Sequence, residues 1–194
     1  MLNIKKIIKT ILCPIQCMRF GIKNRRGKLY IGKGCKIVNA SRIDFEKNVS
    51  IMPYNMIVCH EGGRIHFGEN VEIGMYSRIT AQEKVEIGKN VFSGPHIFIA
   101  DYNHEYRNID IPINKQGRLV KKNTEIDEGG VLIGDDTWIG TNVVIVGTVK
   151  IGKHCVIGAN SVITKDIPDY SVVVGSPSRV IKRYNKETNQ WEMV

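Results

Sequence analysis

The sequence predicts an all-β chain wound as a parallel β-helix, and three observations carry that prediction. An aliphatic residue returns every six positions, from Ile133 through Ile139, Ile145, Ile151 and Ile157 to Ile163. Glycine follows at 134, 140, 152 and 158. A small or branched residue stands four places after each isoleucine, as Thr137, Val143, Val149, Cys155, Ser161 and Ile167. Neither the 3.6-residue period of a helix nor plain strand alternation produces this pattern. Each hexad can supply a short strand and a bend, with isoleucine inward, glycine at the tight corner and the small residue filling the taper. Three hexads then close a triangular coil of about 18 residues, and stacked coils bury a continuous aliphatic column.

A looser form of the unit lies upstream. LYIGKGC (29–35), IDFEKNV (43–49), IHFGENV (65–71) and VEIGKNV (85–91) share one shape with VKIGKHC (149–155). The upstream coils therefore carry small insertions. Ser93 and Ile99 keep the six-step register, which is then lost until Ile133. The intervening excursion, 102–131, is polar and charged. A loop of that length in a tight solenoid reads as a functional protrusion from one corner, and the active site is expected there. The chain divides into a basic arm (1–26), the β-helix (27–168) and a C-terminal segment (169–194).

The arm has its own pattern. Ile4, Ile7, Ile8, Ile11 and Leu12 recur at helical spacing, with Lys5, Lys6 and Lys9 on other faces, predicting a short amphipathic helix that ends near Pro14. Eleven of the chain's 28 Lys and Arg lie in residues 1–43, where there is no acid; the remainder holds 17 bases against 19 acids. The body is thus near neutral, which argues against a chain-wide nucleic-acid surface. The arm is expected to pack its apolar stripe on its own domain or the next subunit, with peripheral contact to an anionic membrane face as the alternative.

No apolar run approaches the roughly 20 residues of a membrane span. The lysines break the apolar core that a secretion signal needs. The five cysteines, Cys13, Cys17, Cys35, Cys59 and Cys155, are odd in number and contain no CxxC pair, so neither a disulfide framework nor a zinc knuckle is predicted. A reduced, cytoplasmic setting fits.

Three features together resemble the hexapeptide-repeat acyltransferases, over roughly residues 29–184: the hexads of 133–168, the segment DYNHEYR ahead of VLIGDDTWIGTNVVI, and the tail TKDIPDYSVVVGSPSRVIKRY. Within that family the chain looks most like the galactoside/maltose acetyltransferase-like and polysaccharide O-acetyltransferase branch. The resemblance implies a left-handed coil, with the tail as closing coil and C-terminal crossing segment. It also implies acetyl-CoA as co-substrate, no metal, and a homotrimer with sites between subunits. His104 matches the family's loop base. Thr141 matches the position whose backbone N–H faces the thioester carbonyl. Trp138 and Gly140 match the hexad beside the cofactor. Ala159, Thr164 and Lys165 match the pantetheine and phosphate channel, and Arg179 and Lys182 the nucleotide end. Asp101, Asn103 and Tyr76 are the candidate substrate-binding residues.

The chemistry suits these residue types. Acetylating a sugar hydroxyl means removing a proton of very high pKa as the oxygen attacks, and a neutral imidazole can take it. Asp101 or a loop carbonyl is expected to orient His104. A fixed N–H donor at Thr141 would stabilise the oxyanion. Direct transfer needs no enzyme nucleophile, so Cys35 and Cys155 read as inward packing.

Other activities use the same kind of solenoid. A γ-type carbonic anhydrase needs converging zinc histidines. Its HxxxxH pair is absent: His60 and His66 are six apart, His96 and His104 eight. An antibiotic O-acetyltransferase, an N-acyltransferase acting on a nucleotide-linked amino sugar and a non-catalytic scaffold are the remaining alternatives. The favoured acceptor is a bacterial glycan, namely a capsule, exopolysaccharide or lipopolysaccharide unit, with the arm holding the enzyme at the inner membrane face.

Overall fold

A computed structural model describes residues 15–23, 25–119 and 129–194. The isoleucines and lysines of the expected amphipathic helix lie outside the described residues. Residues 15–20 are helical, so helix is present beyond Pro14, where the sequence predicts an end.

The β-helix forms as expected, and its strands stack into three faces. The first face runs Leu29–Ile31, Val49–Ile51, Glu72–Ile73, Phe92–Ser93, Trp138–Ile139, Val156–Ile157 and Ser171–Val174, all parallel. The second runs Lys36–Val38, Met56–Cys59, Arg78–Ala81, Phe98–Ala100, Val144–Val146 and Val162–Ile163. The third runs Ile43–Phe45, Arg64–Phe67, Lys84–Ile87, Val131–Ile133 and Val149–Ile151, extended by single bridges at Arg25 and Ile167. The last coil reaches past Pro168, because Val172 and Val173 still pair in parallel with Val156 and Ile157. The strand Arg179–Asn185 then turns antiparallel against Ser171–Val174, and Gln190–Met193 folds back on it. This hairpin closes the end of the first face. Among the described residues no helix is long and apolar enough to cross a membrane.

The hexad positions face inward as the pattern requires. Ile139, Ile145, Ile157 and Ile163 are fully buried, as are Thr137, Val143 and Ser161. Phe45 and Phe67 stack at 5.1 Å in the upstream coils. Side chains at two of the corners stack as well. Asn48, Asn70, Asn90 and Asp136 all take left-handed backbone, which Asn and Asp tolerate best among residues with a side chain. Their side chains form a hydrogen-bonded ladder: Asn48 Nδ2 donates to Asn70 Oδ1 at 3.1 Å, Asn70 Nδ2 to Asn90 Oδ1 at 2.9 Å, and Asn90 Nδ2 to Asp136 Oδ1 at 2.8 Å. On the corner between the first and second faces, Tyr54, Tyr76 and His96 stack ring on ring at 5.0 and 5.3 Å.

Coil length varies, and the variation has one location. Ile139 pairs with Ile157, the 18-residue step of the hexads. Upstream, Ile31 pairs with Ile51 and Ile51 with Ile73, steps of 20 and 22. Ser93 pairs with Ile139, a step of 46. The other two corners keep constant length: Ile51 leads to Met56, Ser93 to Phe98 and Ile139 to Val144, five residues each time. Every extra residue therefore leaves the prism between the second and third faces.

Coils approach closely where glycine stands. A methyl added at Gly74 would lie 2.2 Å from the Gly94 carbonyl oxygen. Gly74→Ala should lower unfolding stability by about 1–3 kcal/mol, the usual cost of overpacking, seen as a lower urea midpoint at unchanged slope. An unchanged midpoint would contradict this close stacking.

Candidate active site

The excursion begins at Asp101, directly after the strand Phe98–Ala100. Asp101 is fully buried. Its Oδ1 accepts the Gln82 N–H, and its Oδ2 the Glu83 and Lys84 N–H groups, all at 2.7 Å. Both oxygens are spent on the corner of the preceding coil. Asp101 is therefore a structural anchor for the start of the excursion, and among the described residues it makes no hydrogen bond to His104. A carboxylate suits that task, since three converging backbone donors would otherwise lie unpaired.

Beyond it the chain forms a short ribbon. Asn103–His104 pairs antiparallel with Arg118–Leu119, with His104 opposite Arg118. Glu105 N–H donates to Gly117 O at 3.1 Å and continues the ribbon. The tip is tied by its own side chains. Gln116 Nε2 donates to the carbonyls of Asn108 and Ile111, and its Oε1 accepts the Asn108 N–H. Glu105 and Arg107 form an ion pair. The Arg107 side-chain hydrogen bond, helped by the Arg107 backbone N–H, holds the half-buried Glu105 carboxyl down at about 2. Asn103 and His104 are both exposed. Among the described residues, no group hydrogen-bonds the His104 ring.

Most of the other expected site residues flank the second face, and Trp138 and Lys182 lie on the first. Thr141 and Ala159 follow the first-face strands of successive coils, on the corner between the first and second faces. Among the described residues neither backbone N–H has a protein acceptor. Gly140 is buried, and its missing side chain admits Ala159 N, which a Cβ would meet at 2.6 Å. Gly140 contributes to coil packing. Trp138 stacks on Phe92 at 5.9 Å, and both rings are about half exposed on the first face. Tyr76, exposed, stacks between Tyr54 and His96 on the Thr141 corner and not beside His104. The turn 175–178 is held to this corner by Val162 N–H donating to Gly175 O and Ser178 N–H to Val162 O. It delivers Arg179, exposed, at the far end of the same edge; Lys182 is half-buried on the same strand, opposite Val172. Thr164 and Lys165, both exposed, lie across the second face on the corner that carries His104. The strands Phe98–Ala100, Val144–Val146 and Val162–Ile163 separate the two groups. One chain does not bring His104 and Thr141 together.

The four described cysteines, Cys17, Cys35, Cys59 and Cys155, are all buried. Burial raises the thiols of Cys35, Cys59 and Cys155 above their ordinary values, away from thiolate chemistry. Among the described residues no cluster of His, Cys, Asp or Glu could hold a metal ion.

Sequence reasoning missed Arg118 and its partners. Arg118 meets Gln82, Tyr102 and His60. Gln82 is 36 residues away and His60 is 58. Only the stacking of coils joins them, so no local spacing marks them.

Comparisons with known proteins agree with this architecture. The family described as bacterial transferase hexapeptide (six repeats) matches residues 130–165. WbbJ of Escherichia coli, named as an O-acetyl transferase of lipopolysaccharide biosynthesis, is 33% identical over 158 residues, covering 81% of this chain and 80% of that protein. A protein of Mycobacterium tuberculosis named as an acetyltransferase is 34% identical over 182 residues, covering 90% of this chain. The chain spans 57% of that relative's length. A galactoside acetyltransferase solved in complex with coenzyme A superposes with a TM-score of 0.56 at 28% identity, covering 82% of this chain and 70% of that one. With its six-residue repeat, its single looped-out corner and these relatives, the chain belongs to the hexapeptide-repeat acetyltransferase family.

Proposed function

We propose that this chain is an acetyl-CoA-dependent O-acetyltransferase that acts on a sugar hydroxyl of a bacterial glycan. In this reading three copies assemble with their sites in the clefts between subunits. The observation that carries it is the placement of His104 and Thr141 on opposite edges of the second face. A second copy laid alongside supplies the missing half of each site, as in a closed ring of head-to-tail contacts. The excursion also offers apolar surface to such a neighbour: Ile109 is 95% exposed and Tyr106 65%.

In the cleft, His104 from one copy takes the hydroxyl proton as the sugar oxygen attacks the thioester carbon. The Thr141 N–H of the other copy donates to the oxyanion that develops there, a fixed donor that needs no reorganisation. When the carbon–sulfur bond breaks, the imidazolium returns its proton to the departing thiolate. The sugar gains the acetyl group, and free coenzyme A leaves. Trp138, Ala159, Thr164 and Lys165 would line the pantetheine path, and Arg179 and Lys182 would answer the nucleotide phosphates. The lipopolysaccharide role in the name of the Escherichia coli relative supports a glycan acceptor.

Thiol release from acetyl-CoA across a panel of sugars and oligosaccharides tests the reading. Acceptor-dependent turnover should fall by roughly 10²-fold or more in His104→Ala, the scale of general-base catalysis. Turnover that survives would move the base elsewhere. Direct transfer carries a second expectation. Iodoacetamide at about pH 8, near the ordinary thiol pKa, should leave Cys17, Cys35, Cys59 and Cys155 unlabelled in the native protein and leave turnover intact. Labelling of Cys35 or Cys155 with parallel loss of activity would favour an acyl-thiol route.

A further inference from the structure

We propose that Arg118, held by His60, Gln82 and Tyr102, is the positioning residue that fixes the ribbon bearing His104. The proposal rests on the reading of His104 as the base. A two-stranded ribbon is marginal by itself in water, and among the described residues this one is short, pairing Asn103 and His104 with Leu119 and Arg118 and adding the Glu105 N–H to Gly117 O bond. Asp101 secures the outgoing strand. The returning strand needs its own tie, and Arg118 supplies it.

Three successive coils present the partners at one corner. Arg118 Nη1 donates to Gln82 Oε1 at 3.0 Å and lies 3.3 Å from His60 Nδ1. Its guanidinium sits 5.0 Å from the centroid of the Tyr102 ring. The His60 ring meets Tyr102 edge-on at 5.7 Å, and its Nε2 lies 3.3 Å from Thr80 Oγ1. An arginine can hold two acceptors and a ring face at once, whereas a lysine is a single point donor. Directly opposed residues of an antiparallel pair project to the same side, and residues two apart on one strand do so too. Tyr102, His104 and Arg118 therefore share one side of the ribbon. Fixing the guanidinium fixes the direction of that side, and with it the imidazole.

The contact also sets a protonation requirement. Arginine only donates, so His60 must offer Nδ1 as an acceptor and carry its proton on Nε2, toward Thr80. Burial, and then the Arg118 charge, lower the His60 pKa below its ordinary value; Arg78 acts in the same direction and buried Asp101 against it. Among the described residues, these charged groups and the Tyr102 ring face His60. The pinned arrangement binds one proton fewer than the released one. It is favoured as pH rises and lost as pH falls through the His60 titration. On protonation both ring nitrogens become donors and a second cation faces Arg118, so the tie opens.

Hydrogen exchange on the full chain reads the tie without an acceptor. Peptides covering 102–107 report the Glu105 N–H that donates to Gly117 O. Hydrolysis of acetyl-CoA by water, followed as thiol release, gives the kinetic readout. Arg118→Met should speed that exchange about tenfold through local opening. It should also lower kcat about tenfold by misplacing the base, with KM for acetyl-CoA nearly unchanged. His60→Asn, whose Oδ1 can stand in for Nδ1, should keep both near wild type. Between about pH 7.5 and about pH 5, wild type should lose protection beyond the intrinsic pH effect, and His60→Asn should not. Unchanged protection in Arg118→Met, or equal acid loss in His60→Asn and wild type, would overturn the proposal. His104→Ala, run alongside, separates the two ideas. Unchanged hydrolysis there removes the base reading; a ribbon that stays protected in Arg118→Met removes this one.

Discussion

The spacing between coils governs this molecule. Adjacent parallel strands lie about 4.8 Å apart, and every coil must hold that distance on three faces at once. Glycines such as Gly74 and Gly134 allow it, since a Cβ on either would strike the backbone of the next coil. Two corners keep a constant length, and their outward side chains stack into the Asn48–Asp136 ladder and the Tyr54–His96 column. The third corner alone has room for extra chain. The two- and four-residue surpluses of the upstream coils emerge there, and so does the excursion that carries His104.

That geometry sets how the proposed chemistry would be shared. His104 leaves the prism at one edge of the second face, while the backbone N–H groups of Thr141 and Ala159 open along the other. No rearrangement of a packed coil brings the edges together, because the face between them is built from the buried columns of Ile99, Ile145 and Ile163. On the proposed reading an assembly of copies would join them without strain, and donors on a solenoid corner, held by their coil neighbours, would meet the need for preorganisation.

Much of this was legible in the residues. The hexads from Ile133 onward repeat without interruption, and all their inward positions are buried. The upstream coils could be recognised from shared motifs, though not the corner at which they lengthen, because insertion position depends on strand pairing. The final coil, Ser171–Val174, is marked by the family resemblance of the tail and not by the hexads, because Ile157 pairs with Val173 after 16 residues rather than 18. Asp101 read as a polar residue beside a catalytic histidine, yet its partners are backbone amides of the previous coil, invisible to any side-chain pattern. Arg118 was hidden for the same reason. Its meaning lies in His60, Gln82 and Tyr102, which come together only when three coils stack.

Subunit mixing tests the shared site most directly. His104→Ala and Thr141→Pro chains, each inactive alone, would be unfolded, mixed in equal amounts and refolded together. Each cleft drawing His104 from one copy and Thr141 from the next would be intact in about one quarter of random pairings, so thiol release should return to about that fraction of wild type. A mixture as inactive as its parents would contradict a site divided between copies.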